Sequence, residues 1–119
     1  MGVSPDSDVY TSTPASNTAL VATDYGQIGT TSQTGSPITY ANFSATAYND
    51  YTLNATGRGN ISKTGVSKFA LRNANYDVAN TAPTWSASVT SNGNVLSADT
   101  AGTTSDPKLV VTYTVGSPS

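Results

Sequence analysis

The chain has 119 residues, a formal net charge of −2 and 10% charged residues, a length that fits one domain with a modest core. It holds no Cys and no His, which removes thiol chemistry, disulfide staples and the usual zinc ligand sets. Arg58, Lys63, Lys68, Arg72 and Lys108 are dispersed and no apolar run approaches the roughly 20 residues of a membrane helix, so neither nucleic acid nor a membrane is an expected partner.

Ser and Thr together make 36 residues, Asn adds 10, and all seven acids are Asp. Thr, Val and Tyr favour strands, whereas Asn, Asp, Gly and Ser favour turns. The chain is therefore expected to be short strands joined by many turns. Residues 1–8 read as an extended lead-in with Pro5 and two Asp. Residues 9–13 are β-prone and are stopped by Pro14. Ser16, Asn17 and Thr18 can cap a helical turn over residues 19–24. Residues 26–37 form a Gly, Thr and Ser loop, read as a mobile surface loop or, alternatively, a binding loop.

Residues 38–43 and 48–53 are the next strands. Residues 54–65 are turn-rich and hold one helical turn ending at Gly65. Residues 66–72 (VSKFALR) form a strand with Phe69 and Leu71 on one face and Lys68, Ala70 and Arg72 on the other. A long Asn/Ala connection, 73–83, leads to a strand at 85–90. Asn92-Gly93 signals a hairpin back through 95–98. After a loop at 99–107, residues 108–115 (KLVVTYTV) alternate Leu109, Val111, Tyr113 and Val115 against a second fairly apolar face, as in a central or sandwiched strand.

About seven short strands, with at most one or two helical turns, predict an all-β fold: an antiparallel, jelly-roll-like β-sandwich. It would span residues 9–115 as a single domain, with a disordered tail at 116–119. The expected core is Leu53, Ile61, Val66, Phe69, Leu71, Trp85, Leu96, Leu109, Val111 and Tyr113.

The stretch TLNATGRGNISKTGVSKFALRNANYDV (52–78), followed by Trp85 and by SADTAGTTSDPKLVVTYT (97–114), resembles the C-terminal part of DNRLRE-type domains. The segment STPASNTALVATDYGQIGTTS (12–32) is similar to the middle of such domains. The resemblance covers roughly residues 9–114. It implies a β-sandwich module of bacterial surface or secreted proteins, of phage structural proteins, or of chains beside carbohydrate-active enzymes; some members bind carbohydrate. Family domains are usually longer, with strands before the position that matches Val9. A shorter sandwich would leave an unpaired edge, so self-association, or strand completion by a neighbouring segment, is the expected mode of partnership.

Chemistry is sparse. With no His, no Ser has an activating base, and a glycosidase-like pair would have to come from Asp24, Asp50, Asp77, Asp99 and Asp106, which all sit near turns. The chain is not expected to be an enzyme, nor to need a cofactor. Calcium is the one metal whose oxygen ligands are present. Asp99 and Asp106, with the TAGTTS loop between them, are the candidate ligands, and Asn75 with Asp77 are a second set. Carbohydrate binding uses aromatic faces beside amide and carboxylate groups. Tyr76 with Asn73, Asn75 and Asp77 is the most sugar-like cluster, with Trp85 as a stacking candidate. The competing readings are a structural corner for the cluster, a core position for Trp85, and an intramolecular Arg72–Asp77 pair.

The expected function is a non-catalytic structural or adhesive module of a virion (tail, fibre or decoration) or of a bacterial surface protein, acting in assembly or receptor attachment at the virion or cell surface. The alternative is a carbohydrate-binding module of a secreted enzyme or surface protein.

Overall fold

The computed structural model describes residues 4–88, 95–97 and 101–116. Strand β1 (Ser7–Thr11) pairs antiparallel with strand β2 (Phe69–Asn73), in the register Ser7–Asn73, Val9–Leu71 and Thr11–Phe69. Val9, Tyr10 and Thr11 have the branched or aromatic side chains that suit a pleated surface. Strand β1 starts two residues earlier than expected, inside the segment read as a lead-in.

The loop after β1 lies along that strand's other edge. Gly29 N–H donates to Thr11 O at 2.9 Å and Gln33 N–H to Val9 O at 2.9 Å, while Ser7 and Ile38 exchange two 2.9 Å bonds. The segment read as a mobile surface loop thus satisfies the outer carbonyls of Val9 and Thr11, and Ile38 just beyond it satisfies Ser7. Its Gly and Ser content hides this, because the contacts are made by main chain rather than by side chains.

Four short helical segments complete the described architecture. A 3-10 turn spans Ala22–Gln27, later than the expected turn at 19–24. Ser16 Oγ instead accepts from Thr18 and Ala19 N–H and closes a local turn. A second 3-10 turn, Tyr40–Asn42, occupies the middle of the segment expected to be a strand. Helix α1 (Ala55–Gly59) is capped by Asn54, whose Oδ1 accepts from Gly57 N–H at 2.9 Å. It ends well before Gly65. A π-helical turn, Ala74–Val78, follows β2 directly and ends at Asn80, which takes the left-handed φ of 53° that Asn tolerates.

The jelly-roll-like sandwich is not what forms. Among the described residues there are two strands rather than about seven. Residues 38–43 and 48–53 contribute only isolated bridges, Ile38 to Ser7 and Leu53 to Thr34. The hairpin at Asn92-Gly93 lies outside the described residues. Residues 108–115 have no strand partner among the described residues, although the backbone runs without helix, turn or bend from 106 to 116.

The expected core is overturned with the sandwich. Leu53, Ile61 and Phe69 are half-buried; Val66, Leu71, Trp85, Leu96, Leu109, Val111 and Tyr113 are exposed, Trp85 at 83% and Tyr113 at 78%. The physical reason is that period-two alternation buries a face only when a second layer covers it. Among the described residues no second layer covers β2. The faces of β2 are also inverted from expectation. Ala70 and Arg72 sit opposite Tyr10 and Asp8, the buried residues of β1. Phe69 and Leu71 share the other face with Val9.

Tyr10, at 3% exposure, is the one large apolar side chain fully enclosed among the described residues; the rest of the interior is Asp8, Asp24, Gln33 and Thr34. Polar groups are tolerated inside only when hydrogen-bonded. Among the described residues every buried side-chain nitrogen and oxygen has a partner.

Candidate functional site

The predicted sugar-like cluster is assembled by the junction of β2 and the π-helical turn. Asn73 closes the strand, and its Oδ1 accepts from Tyr76 N–H at 2.9 Å, which caps the turn. Asn75 faces the lead-in: its Oδ1 accepts from Asp6 N–H and its Nδ2 donates to Ser4 O, both at 2.9 Å. The Tyr76 hydroxyl accepts from Ser4 N–H at 3.4 Å. Residues 4–6 are therefore fastened to the turn by the groups that a sugar would need.

Asp77 is occupied by Arg72. Arg72 Nε donates to Asp77 Oδ2 at 2.5 Å and Nη2 to Oδ1 at 3.2 Å, a forked ion pair. The Tyr25 hydroxyl, carried by the first 3-10 turn, donates to Asp77 Oδ1 at 2.9 Å. Arg72 Nη1 donates to Gly29 O at 3.1 Å, and the guanidinium sits 5.7 Å from the centre of the Tyr25 ring. Hydrogen bonds from Arg72 and then from Tyr25 hold the Asp77 carboxyl below its ordinary value, and the bond to Asp77 raises Arg72 in turn. Three separate segments thus converge on one ion pair.

The expected site residues accordingly divide. Asn73, Asn75, Tyr76 and Asp77 are brought together, with their hydrogen-bonding groups directed to the protein itself. Trp85 stands apart from that network on the exposed surface. Of the candidate calcium ligands Asp99 and Asp106, only Asp106 falls within the described residues, and Asp99 lies outside them. Asp106 contributes a main-chain carbonyl instead, which with Thr104 O accepts from the Tyr48 hydroxyl at 2.9 Å. Among the described residues no three carboxylates converge. Asn54 and Asn60 are likewise used internally, as the cap of α1 and as a 2.6 Å donor to Gln33 Oε1.

Sequence reasoning missed a second centre, around Asp8. This carboxylate, 2% exposed, accepts from Ser32 Oγ at 2.6 Å, Thr34 Oγ1 at 2.5 Å and Val9 N–H at 2.8 Å. Gln33 is even more enclosed. Its N–H bonds Val9 O, its carbonyl accepts from Asn54 N–H, its Nε2 donates to Thr31 O, and its Oε1 accepts from Asn60. No sequence signal marks these residues, because a buried polar residue and a solvated one look alike in a chain so rich in Ser and Thr. An open hollow of about 300 Å³ lies nearby, between residues 35–38 and 50–54. Asp50 is the one carboxylate on its wall. The Tyr51 hydroxyl there is hydrogen-bonded to Ser7, and burial raises its pKa.

No family model, curated protein or solved structure matches the chain. No described helix is long and apolar enough to cross a membrane.

Proposed function

We propose that this chain is a non-catalytic structural or adhesive module of a virion or bacterial surface protein, and that it reaches its stable form by assembling with copies of itself. One observation carries the assembly part. The chain exposes 9057 Å² of accessible surface, whereas a folded monomer of 12.1 kDa is expected to expose about 6,000 Å². Its radius of gyration, 16.5 Å, likewise exceeds the roughly 13.5 Å of a self-contained domain of this length. On this reading the missing burial comes from a second copy.

Support for a virion or cell-surface setting comes from the low-charge Ser/Thr/Asn surface and from the DNRLRE-type resemblance over residues 52–78 and 97–114. Light scattering over a rising concentration series tests the assembly. A defined oligomer is expected, and a monodisperse, folded monomer at high concentration overturns the proposal.

A second reading, carbohydrate binding, draws on the exposed indole of Trp85, the kind of face that stacks on a sugar ring. A glycan array separates the two. Saturable binding lost on Trp85→Ala favours the second, and an empty array with a defined oligomer favours the first.

A further inference from the structure

Resting on the self-assembly reading, we infer that residues 108–115 of one copy add as a third strand to the outer edge of β2 in a second copy. The acceptor edge follows from the hydrogen-bond parity of the sheet. Ser12 N–H donates to Lys68 O at 3.3 Å and Ala74 N–H to Asp6 O at 2.8 Å, so even-numbered residues of β2 point their backbone groups at β1. The N–H and C=O groups of Phe69, Leu71 and Asn73 point the other way. They have no backbone partner among the described residues. Strand β1 offers no such edge, because the 27–38 loop covers it.

Natural sheets guard open edges with free charges, Lys above all. The two cations of this strand region are not available as guards. Lys68 Nζ is drawn to Pro14 O at 3.3 Å, and Arg72 is locked to Asp77. The edge is left with Phe69 and Leu71 beside it, Leu71 exposed at 45%.

The donor is a straight arm with a fixed base. The Tyr48 hydroxyl is bonded to Thr104 O and Asp106 O, and Lys108 Nζ sits 4.4 Å from the centre of the Tyr48 ring. Beyond Lys108, period-two alternation puts Val110 on one side and Leu109, Val111, Tyr113 and Val115 on the other, all of them exposed. Laid along β2, that side continues the strip made by Val9, Phe69 and Leu71, while Thr112 and Thr114 fall beside Ala70 and Arg72.

The occupant is a second copy because the donor is this chain's own exposed segment, with Leu109, Val111 and Tyr113 uncovered among the described residues, and the surface excess is ample for such a contact. That excess is about 3,000 Å² per chain, against roughly 800 Å² per partner in a standard stable interface. Donor and acceptor are different patches, so the contact is head-to-tail and every copy both gives and receives.

The absence of Cys makes the test clean. Leu71→Cys and Val111→Cys are made separately, both at exposed positions, and Tyr113→Cys serves as a second donor variant if the register differs. Each is treated alone, and in mixture with the other, with a short bismaleimide, after light scattering has given the oligomeric state. The inference expects a dimeric cross-link at least tenfold more abundant in the Leu71→Cys plus donor mixture than in any variant alone. Cross-linking of Leu71→Cys to itself, of a donor variant to itself, or of neither pair in an oligomeric sample overturns the strand addition and leaves the self-assembly reading standing. In a further variant carrying both Leu71→Cys and Val111→Cys, at high dilution, a link confined to one chain also overturns it. A monomer at every concentration overturns both.

Discussion

At the scale of single residues, the charge of Asp77 is the best-placed contributor to stability. Its carboxyl is shifted below the ordinary 3.8 by hydrogen bonds from Arg72 and Tyr25. A lowered acid binds fewer protons when folded, so its stabilising share is complete above about pH 4 and is lost as pH falls through the folded value. Asp77→Asn is expected to cost about 1–2 kcal/mol at pH 7, since the pair is partly open to water. The variant's urea midpoint should change less between pH 7 and pH 3 than that of the unaltered chain; equal changes would show that the pair contributes nothing. This ion pair was open to sequence reasoning, because Arg72 and Asp77 flank a predicted strand end. The Tyr25 bond was not, since 52 positions separate it from Asp77. Asp8 and Gln33 were hidden for the reason that their burial depends on complete hydrogen bonding, which no local pattern encodes.

At the scale of elements, short polar turns are held by specific contacts rather than by helix propensity. Helix α1 is only five residues long, far below the length at which a helix stands alone. It persists because Asn54 caps it and also donates to Thr34 O at 2.7 Å, and because Gly57 lies flat on the Gln33 backbone. A Cβ at Gly57 would come within 2.3 Å of Gln33 O, whereas one at Gly59 would meet nothing within 4 Å. Gly57→Ala is therefore expected to destabilise by about 1–3 kcal/mol through overpacking, and Gly59→Ala to be neutral or slightly stabilising. Equal thermal melts for the two variants would contradict the packing described. Strands β1 and β2 were largely legible, because Val9 and Tyr10, and Phe69 and Leu71, are strand formers and Pro14 stops the first run. The facing of β2 was misjudged because Phe69 and Leu71 were assigned inward on hydrophobicity alone. The interior they were meant to line is filled instead by Tyr10 and hydrogen-bonded polar groups.

At the scale of the whole molecule, the alternation in residues 108–115 is real as a pattern and unfulfilled among the described residues. A pattern of this kind states that a face will be covered without saying whose atoms cover it. The seven-stranded expectation supplied the cover from the same chain; Leu109, Val111 and Tyr113 are exposed among the described residues, and the proposal supplies their cover from a partner. If folding and association are one event, stability must depend on protein concentration by mass action. The most direct measurement is the thermal midpoint, followed by circular dichroism, across a hundredfold range of concentration. The account predicts a midpoint that climbs steadily with concentration. A midpoint that stays constant, for a species of monomeric mass throughout, would contradict it.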